Sequence, residues 1–262
     1  MGFLIIFFAL AALIFLYFNS PAVKGRISEQ AVSRKLKADS FLKHDGKCLT
    51  NLYVPRASGS TSEIDILYIT RKGLFVLENK NYAGYIFGSE SSKNWTVTLY
   101  AGKNWLGGNK VEKHQFYNPV WQNRAHINSL KAYLNSDIHT FSLITFSDRG
   151  SLKHVTIDSQ DTFVCNHRSL LRVISAIWKQ IPDILTDEQV DALYDKLLPL
   201  TNASKETKQK HISNIQNNLS NTSICPLCGG QLVLRTASRG AYAGKRFYGC
   251  SNYPKCKYTK NI

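Results

Sequence analysis

The sequence is poor in acidic residues and carries no charge near its N-terminus. Its 262 residues include 18 Asp and Glu against 33 Lys and Arg, which gives a formal net charge of +15. This scarcity of acid favours a polyanionic partner, either nucleic acid or an anionic membrane surface. No internal repeat is visible. The hydrophobic fraction of 44% is typical of a globular chain with one mid-sized domain and one small one.

The absence of charge before Lys24 bears on targeting. Residues Phe3 to Phe18 are all apolar, and as a helix the first 23 residues would reach about 34 Å, against a hydrocarbon core of about 30 Å. A cleaved signal peptide is the alternative, but it would need a positive segment before the apolar one. The basic residues come afterwards, which keeps the rest of the chain in the cytoplasm by the positive-inside rule. We therefore expect residues 1–23 to form an uncleaved, single-pass anchor in a bacterial inner membrane, with cytoplasmic globular domains.

Four of the six cysteines have the spacing of a zinc site. They are Cys225, Cys228, Cys250 and Cys256. Two turns that each supply two thiolates can complete a tetrahedral zinc site. Two disulfides or four unrelated thiols are the alternative, but Gly229-Gly230 would let the backbone fold around a metal. The two remaining cysteines, Cys48 and Cys165, are expected to be structural thiols in a reducing cytoplasm.

The segment that contains these four cysteines lacks acid altogether. From Ser223 to Ile262 there is no Asp or Glu, whereas seven basic and five aromatic residues are interspersed. Cations can follow a phosphate backbone and flat rings can stack on bases, although one or two rings could instead form the core of so small a domain. The residues predicted to bind nucleic acid are Arg235, Arg239, Lys245, Arg246, Phe247, Tyr248, Tyr253 and Lys257.

The motifs Cys225-Pro-Leu-Cys-Gly-Gly230 and Phe247-Tyr-Gly-Cys-Ser-Asn-Tyr-Pro-Lys-Cys256 resemble the C-terminal zinc ribbons of bacterial type IA topoisomerases. The resemblance covers about forty residues. It implies a ribbon that holds structural Zn²⁺ and binds single-stranded DNA. It does not imply a topoisomerase, because the rest of the chain is too short for that catalytic core.

The pattern of apolar and polar residues before the ribbon predicts an α/β domain followed by a linker. A helix is expected from Gly25 to about Phe41, with Glu29 on the same face as two apolar residues, and another from Asn118-Pro119 to about Leu134. Residues 201–222 are polar and predict a flexible linker. The predicted strands are 48–54, 63–70, 74–80, 85–88, 95–100 and 141–146, and two more helices are predicted over 170–180 and 187–198. This order indicates a mixed sheet.

Charged residues lie at the end of the most apolar strand. Period two puts Glu78 and Lys80 on one face, and a hairpin through a two-residue loop would bring Asp65 opposite Glu78 and Glu63 opposite Lys80. A three-residue loop would instead turn Asp65 to the other face. Two carboxylates so close repel by about 3 kcal/mol at an effective dielectric of 20. A shared proton, Lys80, or a Mg²⁺ or Mn²⁺ ion could offset that repulsion, and a purely structural acid–lysine cluster remains the alternative.

A wider set of residues resembles the nuclease-related (NERD) domain of the PD-(D/E)xK nuclease superfamily, over roughly residues 24–147. The matching residues are Gly25, Glu29, Ile64-Asp65, Gly73–Asn81, Gly84, Gly88, Trp95, Asn118-Pro119 and Gln122-Asn123. The resemblance implies that Asp65 and Glu78 are metal ligands and Lys80 the catalytic lysine. Glu29 would support the metal or the lysine from the first helix, and Gln122 would be the polar helix residue near the site. Ile64 stands where the superfamily name has proline.

The expected fold is therefore a PD-(D/E)xK-like α-β-β-β-α-β core, with a small β zinc ribbon and an N-terminal transmembrane helix. The expected domains are the anchor (1–23), the nuclease-related domain with its C-terminal helices (24–200), the linker (201–222) and the ribbon (223–262). The leading hypothesis is a membrane-anchored, metal-dependent DNA nuclease with no small-molecule cofactor. The alternatives are a non-enzymatic DNA tether at the membrane and, less favoured, an RNA substrate.

Overall fold

The computed structural model describes residues 17, 20–39, 46–56, 59–103, 109–220, 225, 230–239, 243–254, 256 and 258–261. The helices are α1 (Pro21–Ala38), α2 (Pro119–Leu134), α3 (Leu170–Gln180), α4 (Asp187–Leu197) and α5 (Lys205–Ser220), with 3-10 turns at His167–Ser169 and Leu198–Thr201. The strands are β1 (Gly46–Pro55), β2 (Thr61–Thr70), β3 (Gly73–Lys80), β4 (Gly84–Ser89), β5 (Asn94–Lys103), β6 (Asn109–Tyr117), β7 (Thr140–Phe146), β8 (Gly150–Thr156), β9 (Thr162–Asn166), β10 (Leu232–Thr236), β11 (Arg246–Cys250) and β12 (Thr259–Asn261).

The main sheet has the strand order β1-β2-β3-β7-β9, which places β3 at its centre. The three consecutive strands β1, β2 and β3 are antiparallel, whereas β7 and β9 run parallel to β3. Helix α2 is the crossover between the parallel neighbours β3 and β7. The predicted α/β fold with a mixed sheet is therefore confirmed.

Helices cover both faces of this sheet. On one face, α1 and α3 pack through Val32, Leu36 and Ile174 onto side chains such as Phe75 and Leu77. On the other face, α2 and α4 pack onto a second set of buried side chains, from Leu130, Leu134 and Val190 to Leu74 and Val76. Seven consecutive residues of β3, Gly73 to Asn79, are buried because the strand is covered on both sides.

The hairpin between β2 and β3 has the two-residue loop that the sequence indicates. Thr70 pairs with Gly73 and Ile66 with Leu77, so the residue numbers of each pair add up to 143, as predicted. Gly73 has a φ of +118°, and a Cβ there would run into the carbonyl oxygen of His139. Glycine is thus required both by the backbone conformation and by the close approach of the chain that enters β7.

A second sheet, with the order β6-β5-β4-β8, joins the first through the N-terminus of α2. Asn118 is fully buried; its side-chain oxygen accepts from the N–H of Val120, and its amide donates to the carbonyls of Ser89, Glu90 and Ser92. The loop between β4 and β5 is therefore fixed to the helix that carries Gln122.

Three strands of the structure are absent from the sequence-based prediction. These are β6 and β8, at the two edges of the second sheet, and β9, at one edge of the first. An edge strand has one side open to solvent, so its sequence is polar: β6 exposes Lys110, Glu112 and His114. The first helix also differs in its bounds, because it begins at Pro21, with Ser20 as its N-cap, and ends at Ala38.

The predicted linker contains a helix, α5. Ser204 caps it by accepting from the N–H of Thr207, and Glu206 pairs with Lys210 one turn later at 2.8 Å. His211 is only 7% exposed. Its ring lies 2.9 Å from the Thr61 hydroxyl and contacts the ring of Tyr53 edge-on, so α5 is docked on the domain rather than free of it.

The membrane anchor predicted over residues 1–23 falls almost entirely outside the described residues. Within the described part of the chain, no helix is both long enough and apolar enough to cross a bilayer.

Candidate active site and zinc ribbon

Buried Glu78 and partly buried Lys80 form an ion pair at the end of β3. The Glu78 side chain is almost fully buried, and its Oε1 lies 2.7 Å from the Lys80 Nζ. Lys80 also donates to the side-chain oxygen of Gln122 on α2, over 2.9 Å. The structure thus brings Glu78, Lys80 and Gln122 together, as the period-two spacing and the resemblance imply.

Asp65 joins this cluster from β2. Its Oδ2 accepts from the backbone N–H of Asn79, at 2.8 Å, just beyond the last paired residues of the hairpin. The pairing of β1 with β2 is also interrupted here, because Asn51 and Asp65 are unpaired while the residues on both sides are paired. Asn51 has a φ of +55°, a left-handed conformation that is rare outside glycine. The pairing of β2 with both of its neighbours is therefore interrupted at Asp65, whose carboxylate is close enough to Glu78 for the two charges to interact.

The predicted pairings of Asp65 with Glu78 and of Glu63 with Lys80 do not occur in the β2–β3 ladder. The β2–β3 ladder ends at Ile66 and Leu77, and the Glu63 Oε1 instead accepts from the Tyr53 hydroxyl at 2.6 Å. Its other oxygen lies 3.5 Å from the His211 Nε2. Glu63 therefore lies beside α5 rather than beside the lysine.

The charges of the cluster shift one another's pKa values in opposite directions. Burial raises the pKa of Asp65 well above its ordinary value, and the nearby Glu78 raises it further. Burial also acts to raise the pKa of Glu78, but Lys80 and His126 outweigh it and hold that pKa below its ordinary value. For Lys80, the two carboxylates outweigh burial and raise the pKa, so the ammonium stays charged. One carboxylate of the pair is thus ionised and the other resists ionisation.

Glu29 faces the same region from α1. Burial first, and then the negative charges of Glu63 and Glu78, raise its pKa. Two adjoining surface depressions, of about 400 and 360 Å³, share Thr50 and Asn51. The first is also lined by Arg26, Tyr53, Glu63, Thr201 and Lys208, and the second by Glu29, Gln30, Ser33, Arg34 and Lys37. Four cationic side chains therefore border the same surface as Glu29 and Glu63.

Sequence reasoning missed His126. It lies one helical turn after Gln122 on α2 and is buried, with its Nε2 3.3 Å from the Glu78 Oε2 and its Nδ1 2.7 Å from the Ser62 Oγ. The signal was the four-residue spacing, which puts Gln122 and His126 on one face of the helix.

A second missed group holds Asn79. Its Oδ1 accepts from His167 and from Thr145, and its Nδ2 donates to Ser28. These contacts fix the backbone N–H that Asp65 uses.

The acidic cluster fits a divalent cation in one testable respect. Within the described residues, the Glu78 Oε2 is buried and has no hydrogen-bond partner, although a carboxylate oxygen without one is costly to bury. Carboxylate oxygens suit Mg²⁺ and Mn²⁺, which usually keep several water or phosphate ligands besides. Asp65 and Glu78 are the residues that would hold such an ion, with Glu29 nearby.

The C-terminal ribbon is a three-stranded sheet with the order β10-β11-β12. Cys225, Cys250 and Cys256 are buried, and their sulfur atoms all lie within 4.8 Å of one another. The Cys225 and Cys256 Sγ atoms are 3.6 Å apart. Two thiolates on a tetrahedral zinc ion with bonds of about 2.3 Å would be about 3.8 Å apart, so the three described cysteines fit structural Zn²⁺. In the described part of the chain, they are the one group of three potential ligands this close together. Cys228, the fourth predicted ligand, lies outside it.

The predicted nucleic-acid residues divide between the two faces of the ribbon. Strand pairing puts Arg246 and Lys260 on the same face as the partly exposed ring of Tyr248. The other face holds Arg235, whose guanidinium lies 5.8 Å from the centre of the exposed Tyr253 ring. Phe247 is half-buried on that second face, Arg239 and Lys245 are exposed near the β10–β11 connection, and Lys257 lies outside the described residues.

The ribbon contacts the larger domain at the N-terminal end of α2. The Tyr258 ring packs edge-on against Trp121, with 6.0 Å between ring centres, and Trp121 packs in the same way against Tyr117. Trp121 precedes Gln122, the residue that binds Lys80.

Comparison with known proteins finds one family for the larger domain and another for the ribbon. The nuclease-related domain (NERD) family matches residues 24–147, and the family of topoisomerase DNA-binding C4 zinc fingers matches residues 222–262. An uncharacterized protein of Bacillus anthracis is 30% identical over 201 residues, which cover 75% of this chain and 86% of that protein. No solved structure matches the chain.

The ribbon has separate relatives. DNA topoisomerase 1 of Methanocaldococcus jannaschii is 59% identical over 39 residues, and that of Archaeoglobus fulgidus is 60% identical over 35. These stretches cover 15% and 13% of this chain but only 4% and 5% of the topoisomerases, so the likeness is confined to the ribbon.

Asp65→Asn should stabilise the domain. A carboxyl whose pKa is raised by folding contributes stability only while it is protonated, and that contribution is lost as the pH rises through the folded-state pKa. The melting temperature of the variant should therefore exceed that of the wild type by several degrees at pH 8, and the difference should shrink toward pH 4. Thermal unfolding across this range measures it. Asp137→Asn, at an exposed residue, is the matched control and should give no gain. A difference that does not depend on pH would contradict the prediction.

Cys250→Ser should unfold the ribbon and spare the larger domain. Loss of one thiolate removes most of a metal-binding free energy that amounts to about 10–16 kcal/mol in small zinc modules. Zinc content by mass spectrometry should fall from one ion per chain to less than half, while thermal unfolding of the larger domain is unchanged. Cys165→Ser, at a buried cysteine whose pKa is raised to about 12 by burial, should keep its zinc. Stoichiometric zinc in the Cys250 variant would rule out this site.

Proposed function

Because this chain belongs to the nuclease-related domain family, we propose that it is a divalent-metal-dependent nuclease that hydrolyses DNA phosphodiesters. In this proposal, residues 1–23 hold the protein at the inner membrane, and the other domains lie in the cytoplasm. The zinc ribbon binds single-stranded DNA near the acidic cluster.

The observation that carries the proposal is the charged group formed by buried Glu78 with the partly buried Asp65 and Lys80. An ion pair in the interior is a weak source of stability, because desolvation offsets most of its attraction. Adding a second carboxylate makes the group less favourable still, as the raised pKa of Asp65 indicates. Retaining such a group is expected where it performs chemistry, since perturbed pKa values cluster at functional sites.

Each side chain has a distinct task in hydrolysis. Asp65 and Glu78 would hold the metal, which supplies Lewis acidity and a more acidic bound water when present. Lys80 is held in place by Glu78 and Gln122, and because its pKa is raised it acts as a fixed cation rather than as a base. A fixed ammonium stabilises the negative charge that grows on the phosphate in the transition state. Glu29, whose pKa is raised by burial, would support the cluster from α1.

The surface beside Glu29 and Glu63 suits a polyanion. Arg26, Lys208, Arg34 and Lys37 border the two depressions that these acids also line, so a phosphate backbone bound there would contact cations. Tyr258 of the ribbon contacts Trp121, which precedes Gln122 on α2. In this proposal, a strand stacked on the ribbon reaches the cluster from there.

A cleavage assay on the zinc-loaded protein tests the proposal. Linear duplex, circular duplex and single-stranded DNA, together with single-stranded RNA, are each incubated with Mg²⁺, Mn²⁺ or EDTA. Metal-dependent cleavage of DNA would support a DNA nuclease, and cleavage of RNA alone would replace the substrate. Binding without cleavage under every condition would leave the alternative, a DNA tether that retains the acids for folding.

Glu78→Gln should abolish cleavage while DNA binding persists. The variant keeps the shape of the side chain but removes the charge that a metal needs, so we expect a loss on the order of 100- to 1,000-fold in rate. Glu112→Gln, on the exposed edge strand β6, is the matched control. The rate is measured with excess metal, and binding by fluorescence anisotropy. A Glu78 variant that cleaves at the wild-type rate would remove the nuclease assignment.

Tyr248→Ala should weaken binding of single-stranded DNA by about 1–3 kcal/mol, if the ring stacks on a base as its exposure next to Arg246 and Lys260 suggests. Titration with a labelled oligonucleotide measures the effect, and zinc content verifies that the ribbon is folded. Tyr100→Ala, at an exposed tyrosine of β5, is the control. Unchanged affinity in a zinc-loaded Tyr248 variant would show that this face does not bind bases.

A further inference from the structure

Two buried polar atoms face each other beside the acidic cluster at ion-pair distance but without the alignment of a good hydrogen bond. The Nε2 of His126 and the Oε2 of Glu78 are 3.3 Å apart. Both atoms are inaccessible to solvent, and among the described residues neither has a hydrogen-bond partner. The residues themselves are 8% and 1% exposed. Buried polar atoms nearly always have a well-aligned hydrogen-bond partner, and an ion bound by both atoms would take the place of the one they lack.

The separation of the two atoms suits a shared metal ion. Imidazole nitrogen and carboxylate oxygen bind divalent metals at about 2.0–2.2 Å, so two ligands at right angles on one ion are about 3 Å apart. The observed 3.3 Å is close to that value. The other Glu78 oxygen is occupied by Lys80, which leaves the Oε2 as the one turned to the histidine.

The other ring nitrogen of His126 makes a hydrogen bond, as the second nitrogen of a metal-binding histidine usually does. Its Nδ1 lies 2.7 Å from the Ser62 Oγ, and that hydroxyl also accepts from the Arg56 guanidinium at 3.0 Å. Arg56 donates further to Ser129, one turn along α2 from His126. Partners of this kind fix the ring orientation and the atom that is left for the metal.

We propose that His126 is a ligand of the active-site metal, together with Glu78. The inference rests on the proposed function, because it concerns the metal of the same site. It also bears on metal preference, since a nitrogen ligand suits Mn²⁺ and other transition metals better than Mg²⁺, which binds oxygen almost exclusively. Gln122 and His126, one turn apart on α2, then have separate tasks: the first binds Lys80 and the second the metal.

Metal binding, measured without any substrate, tests the inference. The full-length, zinc-loaded chain is titrated with Mn²⁺ and with Mg²⁺ by calorimetry, and pulsed electron paramagnetic resonance detects coupling of bound Mn²⁺ to an imidazole nitrogen. The variants are His126→Asn, His126→Gln and Glu78→Gln, with His139→Asn as the matched control at a partly exposed histidine. Thermal unfolding identifies the His126 variant that folds like the wild type.

We expect the folded His126 variant to bind Mn²⁺ at least ten-fold more weakly, to lose the nitrogen coupling, and to change less in its affinity for Mg²⁺. The His139 variant should match the wild type. Nitrogen coupling retained in the His126 variant, or Mn²⁺ affinity unchanged in it, would overturn the inference and leave His126 as an ion-pair partner of Glu78.

The same data separate this inference from the proposed function. A wild-type chain that binds Mn²⁺ with His126-dependent coupling but cleaves no nucleic acid would support the ligand and defeat the nuclease. A chain that cleaves with Mn²⁺ but shows no nitrogen coupling would support the nuclease and defeat the ligand. A chain that binds no Mn²⁺ would defeat both.

Discussion

The ion pair that buried Glu78 makes with partly buried Lys80, at the end of the central strand, is the constraint on which the rest of the domain depends. Charged groups taken out of water are tolerated only when they are paired and their remaining polar atoms are satisfied. Lys80 is satisfied by Glu78 and by the Gln122 amide. Helix α2 therefore has to begin where it does, and Asn118, which binds the β4–β5 loop at that point, sets the position. The second sheet is in this sense a support for the helix that serves the ion pair.

The two faces of β3 make different polar contacts at the end of the strand. Glu78 and Lys80 turn toward α2, where Gln122 and His126 lie. Asn79 turns toward the opposite face and is held by Ser28, Thr145 and His167. Because the Asn79 backbone also binds Asp65, immobilising the amide side chain on one face orients an acid for the other. Asn79 thereby connects the hydrogen bonds on one face of the strand with the acidic cluster on the other.

The local sequence pattern was sufficient to predict the part of the site that lies on the β2–β3 hairpin. The two-residue loop at Arg71 and Lys72 fixes the register, and alternation then determines which way Glu78 and Lys80 point. Contacts that arise from long-range packing could not be predicted in this way. His126 has an unremarkable sequence context, and only the crossover of α2 beside β2 and β3 brings it to Glu78. The edge strands were missed because solvent on one side removes the apolar alternation, and helix α5 because its docking depends on His211, a single buried polar residue.

The docking of α5 also has a consequence for how firmly the ribbon must bind. Helix α5 ends at Ser220, and Cys225 lies five residues later, so the chain between them can extend over at most about 18 Å. A DNA strand bound by the ribbon, as proposed, would stay within that distance of a helix fixed to the domain. Its local concentration at the acidic cluster would then be in the millimolar range typical of short tethers. A modest intrinsic affinity of the ribbon would be enough for capture, and it would let the strand dissociate after each encounter.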